Sequence, residues 1–166
     1  MAKMTAVQAA VRVLEREGVS VAFGVPGAAI NPFYAALREH GTIRHILARH
    51  VEAASHMADG YSRVSGRHGV VIGQNGPGIS NCVTAIAAAF WAHSPVVIVT
   101  PETGSLGQGL GGFQEAHQLP MFQEFTKYQG HVVNENRMAE LTARCFDRAM
   151  SEIGPTQLNI PRDRFY

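Results

Sequence analysis

Two uninterrupted apolar runs do most to limit what this chain can become. Val70-Val71-Ile72 and Val96-Val97-Ile98-Val99 offer no polar residue to water. Strands of that kind must be covered on both faces, as in a parallel sheet layered between helices. The segments between the strands supply the cover. In residues 5–17 Val7, Ala10, Val11 and Leu14 recur at i, i+3, i+4 and i+7, and Gly18 stops the helix. A strand over 19–23 is broken by Gly24, Pro26 and Gly27 and followed by a helix over 30–38. A strand over 43–48 precedes a helix over 51–63, with Ala54, Met57, Ala58 and Tyr61 at helical spacing.

Beyond Val70-Val71-Ile72 and the Gly76-Pro77-Gly78 turn, residues 79–91 read as one nearly uncharged helix. The next strand is 96–99, and the Gly-rich, aperiodic stretch 100–112 is expected to be a loop; loops of that length in compact domains are usually functional. A helix over 113–125, a strand over 128–133, a helix over 137–150 and a strand over 156–160 complete the pattern. Six strands interleaved with about six helices predict an α/β fold. The expected architecture is a doubly wound, mainly six-stranded parallel sheet with helices on both faces, in one domain over 1–166.

In such sheets ligands bind at the carboxyl ends of the strands. The turns at 24–27, 74–78 and 100–112 are therefore the candidate sites, and they are also the glycine-rich ones. Glycine there serves a flat ligand touching backbone amides or merely a tight strand-to-helix turn; composition leaves both open. Gly107 to Gly112 spell GxGxxG, but they follow the fourth strand and open no helix, so they read as a loop and not as a dinucleotide fingerprint.

Fourteen Lys and Arg against 13 Asp and Glu give a net charge of +1, so the chain lacks the basic field of a nucleic-acid binder. Charged residues make up 16%, against ~25% in ordinary soluble chains, which points to surface buried against another protein and hence to a homo-oligomer. Cys82 and Cys145 form no CxxC pair and suit a reducing cytoplasm. Residues 1–10 hold no apolar run of signal length, and no window is apolar enough for a membrane span. His45, His50 and His56 are spaced so that no two share a helical face, and no HExxH occurs, so no protein-held metal is expected. There is no GxSxG elbow. Glu52, Asp59, Glu102 and Glu115 lie nearest the candidate turns and read as solvated or helix-capping.

Four ordered stretches carry a resemblance over essentially the whole chain: ILARHVEAASHMADGYSR (46–63), GQNGPGISN (73–81), GGFQE (111–115) and GPTQLNIPRD (154–163). They resemble the pyrimidine-binding, N-terminal domain of thiamine-diphosphate enzymes of the acetolactate synthase superfamily. Residues 1–63 resemble glyoxylate carboligase and residues 70–166 resemble sulfoacetaldehyde acetyltransferase. The first of these joins two glyoxylates with loss of carbon dioxide. The second cleaves sulfoacetaldehyde and passes an acetyl unit to phosphate.

The resemblance implies that this domain receives the aminopyrimidine end of thiamine diphosphate, while a diphosphate-binding domain or subunit holds Mg. The superfamily's diphosphate and Mg motif, GDG with paired asparagines further on, is absent from the sequence. The chain is thus expected to be a fragment or one subunit of a split enzyme acting on a small 2-oxo acid or aldehyde. The alternative is a non-catalytic domain that only folds and self-associates.

Carried over position by position, the resemblance places Gly76, Pro77, Gly78 and Asn81 beside the pyrimidine, and Phe113 and Gln114 on the loop facing the reacting carbon. Gln114 would hydrogen-bond substrate or intermediate. Pro26 and Gly27 match a loop near the cofactor. Most of the superfamily has Glu after the histidine matching His50, where it protonates the pyrimidine ring nitrogen; here Val51 stands in that place, as in glyoxylate carboligase. Glu52 is displaced by about 100° around a helix axis and is no substitute. His50 is either catalytic or a cap or packing group, and Trp91 and Tyr61 read as core or interface packing.

Overall fold

The computed structural model describes residues 4–166; the reading of residues 1–10 as lacking a signal run falls in part on residues 1–3, which lie outside it. Six parallel strands form one sheet in the order β2-β1-β3-β4-β6-β5. They are β1 (Val21–Gly24), β2 (Arg44–Leu47), β3 (Gly69–Ile72), β4 (Val96–Glu102), β5 (Tyr128–His131) and β6 (Thr156–Pro161). The order reverses between β1 and β3, and a doubly wound sheet opens its ligand crevice at such a switch point.

The alternation of side chains decides how the layers fill. Val70, Ile72, Val97, Val99 and Leu158 face one side. There they meet α1 (Ala6–Arg16), α2 (Asn31–His40) and α7 (Met138–Ser151). Val71, Val96 and Ile98 face the other side with α3 (Val51–Ser65), α5 (Val83–Trp91) and α6 (Gln118–Phe122). The expected three-layer arrangement is what forms. Helix ends follow their local chemistry. Thr5 and Gln8 make a reciprocal capping box at the start of α1, and α2 and α3 stop at Gly41 and Gly66 in left-handed conformation.

Three expectations are corrected. The stretch 79–91 is not one helix: a four-residue turn, α4 (Pro77–Ser80), precedes α5, and Asn81 Nδ2 folds back onto the Pro77 carbonyl at 2.6 Å between them. The loop begins at Thr103 instead of Thr100. Pairing of Thr100, Pro101 and Glu102 with Asn159, Ile160 and Pro161 carries β4 past the end of β3. There it is bonded on one side only and tolerates Pro101. Residues 113–117 are irregular, and α6 starts only at Gln118, because Gln114 takes a left-handed φ of 59° that no helix continues.

Candidate active site

Gln74, at the carboxyl end of β3, is the centre of the crevice. Its Oε1 accepts the Ala29 N–H at 3.0 Å, and its Nε2 donates to Asn75 Oδ1 at 2.6 Å and to Gln114 Oε1 at 2.8 Å. Asn75 Nδ2 donates to the Gln114 carbonyl at 3.0 Å. These bonds tie three carboxyl-end segments together: the turn after β1, the turn after β3 and the loop after β4.

The glycines of those turns admit the hub. A Cβ on Gly27 would lie 2.4 Å from Gln74 Oε1, and one on Gly78 would lie 3.0 Å from Gln74 Cβ. Gly76 has φ of 58°, and a Cβ there would come within 2.3 Å of the Gln114 carbonyl oxygen; the position demands glycine for both its conformation and its contact. The left-handed Gln114 is held by this same embrace, a strained non-glycine conformation of the kind that clusters at functional sites. Its Nε2 donor has no partner among the described residues.

Val51 opens α3 and is buried, at 7% exposure. A Cβ on Gly73 would meet Val51 Cγ1 at 3.1 Å and Ile79 Cδ1 at 3.0 Å, so the bare Gly73 backbone packs directly against both apolar side chains. Glu52 turns away and stays partly exposed. His50 neither caps α3 nor packs: its side chain is half exposed, with Nδ1 3.8 Å from Glu52 Oε2. Pro26 and Pro77 are exposed, and Phe113 stands 88% exposed beside the crevice.

Between these turns lies a cavity of about 300 Å³ walled by Ala28, Ala29, Gln74, Asn75, Phe113 and Arg162, with Thr103 and the Gly-rich loop closing it. Glu115 shapes that loop. Its carboxylate accepts the N–H groups of Gly109 and, at 3.0 Å, Gly112, and these bonds hold its pKa below the usual carboxylate range. A second polar layer supports the first from below. Gln118 accepts the Gly76 N–H at 3.0 Å and donates to the Pro101 carbonyl at 2.7 Å and to Asn159 Oδ1 at 3.0 Å. Thr100 Oγ1 donates to the same Asn159 oxygen at 2.7 Å.

The structure thus joins Gly27, Gly76, Gly78 and Gln114 through Gln74, brings Phe113 onto the same cavity, and sets Val51 against the adjoining residues Gly73 and Ile79. Asn81 serves the turn that ends α4, and His50 touches none of the others. Sequence reasoning missed Gln74, Asn75, Gln118 and Asn159 as site residues. Of these only Gln74 and Asn75 lay inside a turn already singled out. Tyr61 packs at 6.0 Å from Phe23, whereas Trp91 is 74% exposed and not core. The cysteines are free and buried, and burial pushes both thiols up to about 12. Among the described residues no three His, Cys, Asp or Glu side chains cluster as a metal site, and no helix is long and apolar enough to cross a membrane.

A switch-point crevice lined by glycine turns and a bound network of amides defines a cofactor-binding α/β domain. The chain belongs to the family of thiamine pyrophosphate enzymes, as their N-terminal TPP binding domain, which matches residues 4–121. It is 70% identical over 164 residues, 99% of its length, to a sulfoacetaldehyde acetyltransferase of Alcaligenes xylosoxydans xylosoxydans. It is 58% identical over 101 residues, 60% of its length, to a glyoxylate carboligase of Escherichia coli. Over 161 residues, 96% of its length, it is 38% identical to a probable acetolactate synthase large subunit of Methanocaldococcus jannaschii. Similarity to the acetyltransferase therefore extends beyond residues 70–166 into the first third of the chain. The chain spans 27% of the acetyltransferase, 17% of the carboligase and 27% of the synthase subunit.

Proposed function

We propose that this chain forms the aminopyrimidine-binding half of a thiamine-diphosphate enzyme that breaks or makes a carbon–carbon bond beside the carbonyl of a small aldehyde or 2-oxo acid. Of the three activities in its relatives' names, sulfoacetaldehyde acetyl transfer is the one we assign, supported by 70% identity over 99% of the chain. The observation that carries the reading is the amide network of Gln74, Asn75 and Gln114 at the switch point, beside the buried Val51 that opens α3.

The residues present fit one end of the cofactor. Val51, Gly73 and Ile79 pack into an apolar layer at the switch point, and the adjoining turn of Gly76, Pro77, Gly78 and Asn81 offers a side for a flat ring. Mg and the diphosphate we assign to a partner domain or subunit, as the resemblance to the superfamily implies. When bound, thiamine diphosphate would supply an acidic carbon whose conjugate base is a nucleophile toward a carbonyl and a sink for the electron pair of the neighbouring bond. The chain's own part is positional. Val51 keeps water from the ring and cannot exchange a proton with it. Gln114, its carbonyl side fixed by Gln74 and Asn75, offers Nε2–H to an oxygen of the substrate. His50, half exposed and directly before Val51, is assigned at most a proton-relaying part.

Partner surface is available. α3 and α5 pack on each other and carry exposed Met57, Val64 and Trp91, and the loop adds Leu106, Leu110 and Phe113. Apolar exposure on this scale suits burial against a second copy and a diphosphate-binding domain. Two buried free thiols suit a cytoplasmic setting.

The test exchanges this chain for the matching segment of the Alcaligenes acetyltransferase and assays acetyl transfer from sulfoacetaldehyde with cofactor and Mg present. The expected result is turnover that Gln114→Ala lowers by about 10²-fold. A folded, assembled chimera with no turnover contradicts the proposal and favours a domain that only folds and associates.

A further inference from the structure

Arg162 is the only charged residue among the described lining of the switch-point cavity. It also lines, with Asp163, two adjoining hollows, one of about 400 Å³ beside Ala28, Pro32 and Tyr166 and one of about 230 Å³ under Thr103 and Leu106. Its stem lies across Gly104, with Cγ and Nε 3.5 Å from where a Cβ would stand. The stem is packed, but the guanidinium makes no hydrogen bond or ion pair among the described residues.

The neighbouring charges do not neutralise it. Asp163 Oδ1 accepts the Ser105 N–H at 2.8 Å and its hydroxyl at 3.2 Å, and Oδ2 lies 3.4 Å from Arg164 Nε. Arg164 in turn pairs with Glu135 at 3.0 Å. Two arginines two residues apart therefore differ: one is tied into the turn, the other faces open space. The same wall holds a second unused group, the buried Thr103 hydroxyl, which has no hydrogen-bond partner among the described residues. The remaining lining is neutral amide or apolar, namely Gln74, Asn75, Ala28, Ala29 and Phe113.

A lone planar fork of donors, a spare hydroxyl and a small, otherwise uncharged chamber suit a small organic anion with a short apolar body. We infer that Arg162 binds the anionic end of the substrate, a sulfonate or a carboxylate, and so selects small charged aldehydes or oxo acids over neutral ones. That the anion is the substrate's rests on the proposed function; that the cavity takes an anion does not.

The test titrates the ¹⁵N-labelled chain with 2-hydroxyethanesulfonate, glycolate and neutral ethylene glycol, none of which is consumed. Saturable shifts confined to Ala28, Ala29, Gly112 and Phe113 are expected with at least one anion and not with the glycol, at a Kd on the order of millimolar. Arg162→Gln should weaken binding about tenfold or more and Arg162→Lys about threefold. Arg148→Gln removes equal charge from α7, outside the cavity, and should change nothing. Tighter sulfonate binding assigns the sulfonate class, and tighter glycolate binding the carboxylate class. No saturable shift, shifts elsewhere, or equal loss in Arg162→Gln and Arg148→Gln overturns the inference. Anion binding alongside an inactive chimera keeps the site and removes only the proposed function. An active chimera whose KM is unmoved by Arg162→Gln removes the inference alone.

Discussion

Gln74 Nε2 lies 2.8 Å from Gln114 Oε1, a hydrogen bond across 40 residues that joins the turn after β3 to the loop after β4. Gln114 keeps its left-handed backbone and its free amide donor only while this bond and the Asn75 contact to its carbonyl hold. One amide thus ties the turn after β3 to the loop after β4.

Gln74→Ala removes the acceptor of the Ala29 N–H and both Nε2 bonds. The cost should be about 1–3 kcal/mol, because groups left in a part-buried site lose partners without regaining full solvation. Urea unfolding should show it, with faster amide exchange at Ala29. An unchanged urea midpoint and unchanged exchange would mean that the network is decorative.

Glu115 gives the loop a pH dependence of defined sign. Its carboxyl is lowered by the Gly109 and Gly112 N–H groups. Loop order is therefore complete above the ordinary carboxylate range and is lost as pH falls through the lowered value. Amide protection at Gly109 and Gly112 should collapse in acid, and Glu115→Gln should show reduced protection already at neutral pH. Protection that survives in the variant would show that the glycine turns hold themselves.

Much of the fold was legible because a strand buried on both faces has little freedom of composition. Val96 to Val99 had no alternative reading, and the three-layer order followed. The site was legible only in part, for reasons visible in its residues. Gly76 and Gly78 advertise themselves as breaks, but the part-buried Gln74 and the buried Gln118 and Asn159 find their partners far along the chain, and no period marks them. Pro101 hid the last turn of β4, since proline signals a loop unless a strand is bonded on one side only. Gln114 looked like a helical residue, and nothing local in its sequence announces the left-handed backbone that stops a helix from forming there.

Two histidines should make stability fall in mild acid. Burial lowers both His45 and His68, the latter despite its bond to the Phe146 carbonyl at 3.0 Å. The unfolded chain then binds more protons between the lowered values and the ordinary value of about 6.5. The stability they confer is full above that ordinary value and is lost as pH falls through the lowered ones. Urea midpoints at neutral pH and in mild acid should differ, and His68→Gln should shrink the difference. An equal difference in the variant would assign the effect elsewhere.

The exposed Met57, Val64 and Trp91 on the paired helices α3 and α5 predict self-association. Light scattering at micromolar concentration should return a mass above that of one 17.9 kDa chain. A monomer mass would refute the second-copy reading, and Trp91→Lys should shift an assembled sample toward that mass.

The central claim is that Val51 lies beneath the pyrimidine of the cofactor. Introducing a carboxylate there by Val51→Glu should destabilise the cofactor-free protein by a few kcal/mol, since the side chain is buried against Gly73 and Ile79. The decisive measurement is hydrogen–deuterium exchange at C2 of thiamine diphosphate in the assembled chimera, with and without Val51→Glu. A buried carboxyl with a raised pKa can share a proton with the pyrimidine nitrogen, so exchange should accelerate in the variant. Exchange at the parent rate in a folded, cofactor-loaded variant would place Val51 away from the ring and contradict the assignment of the site.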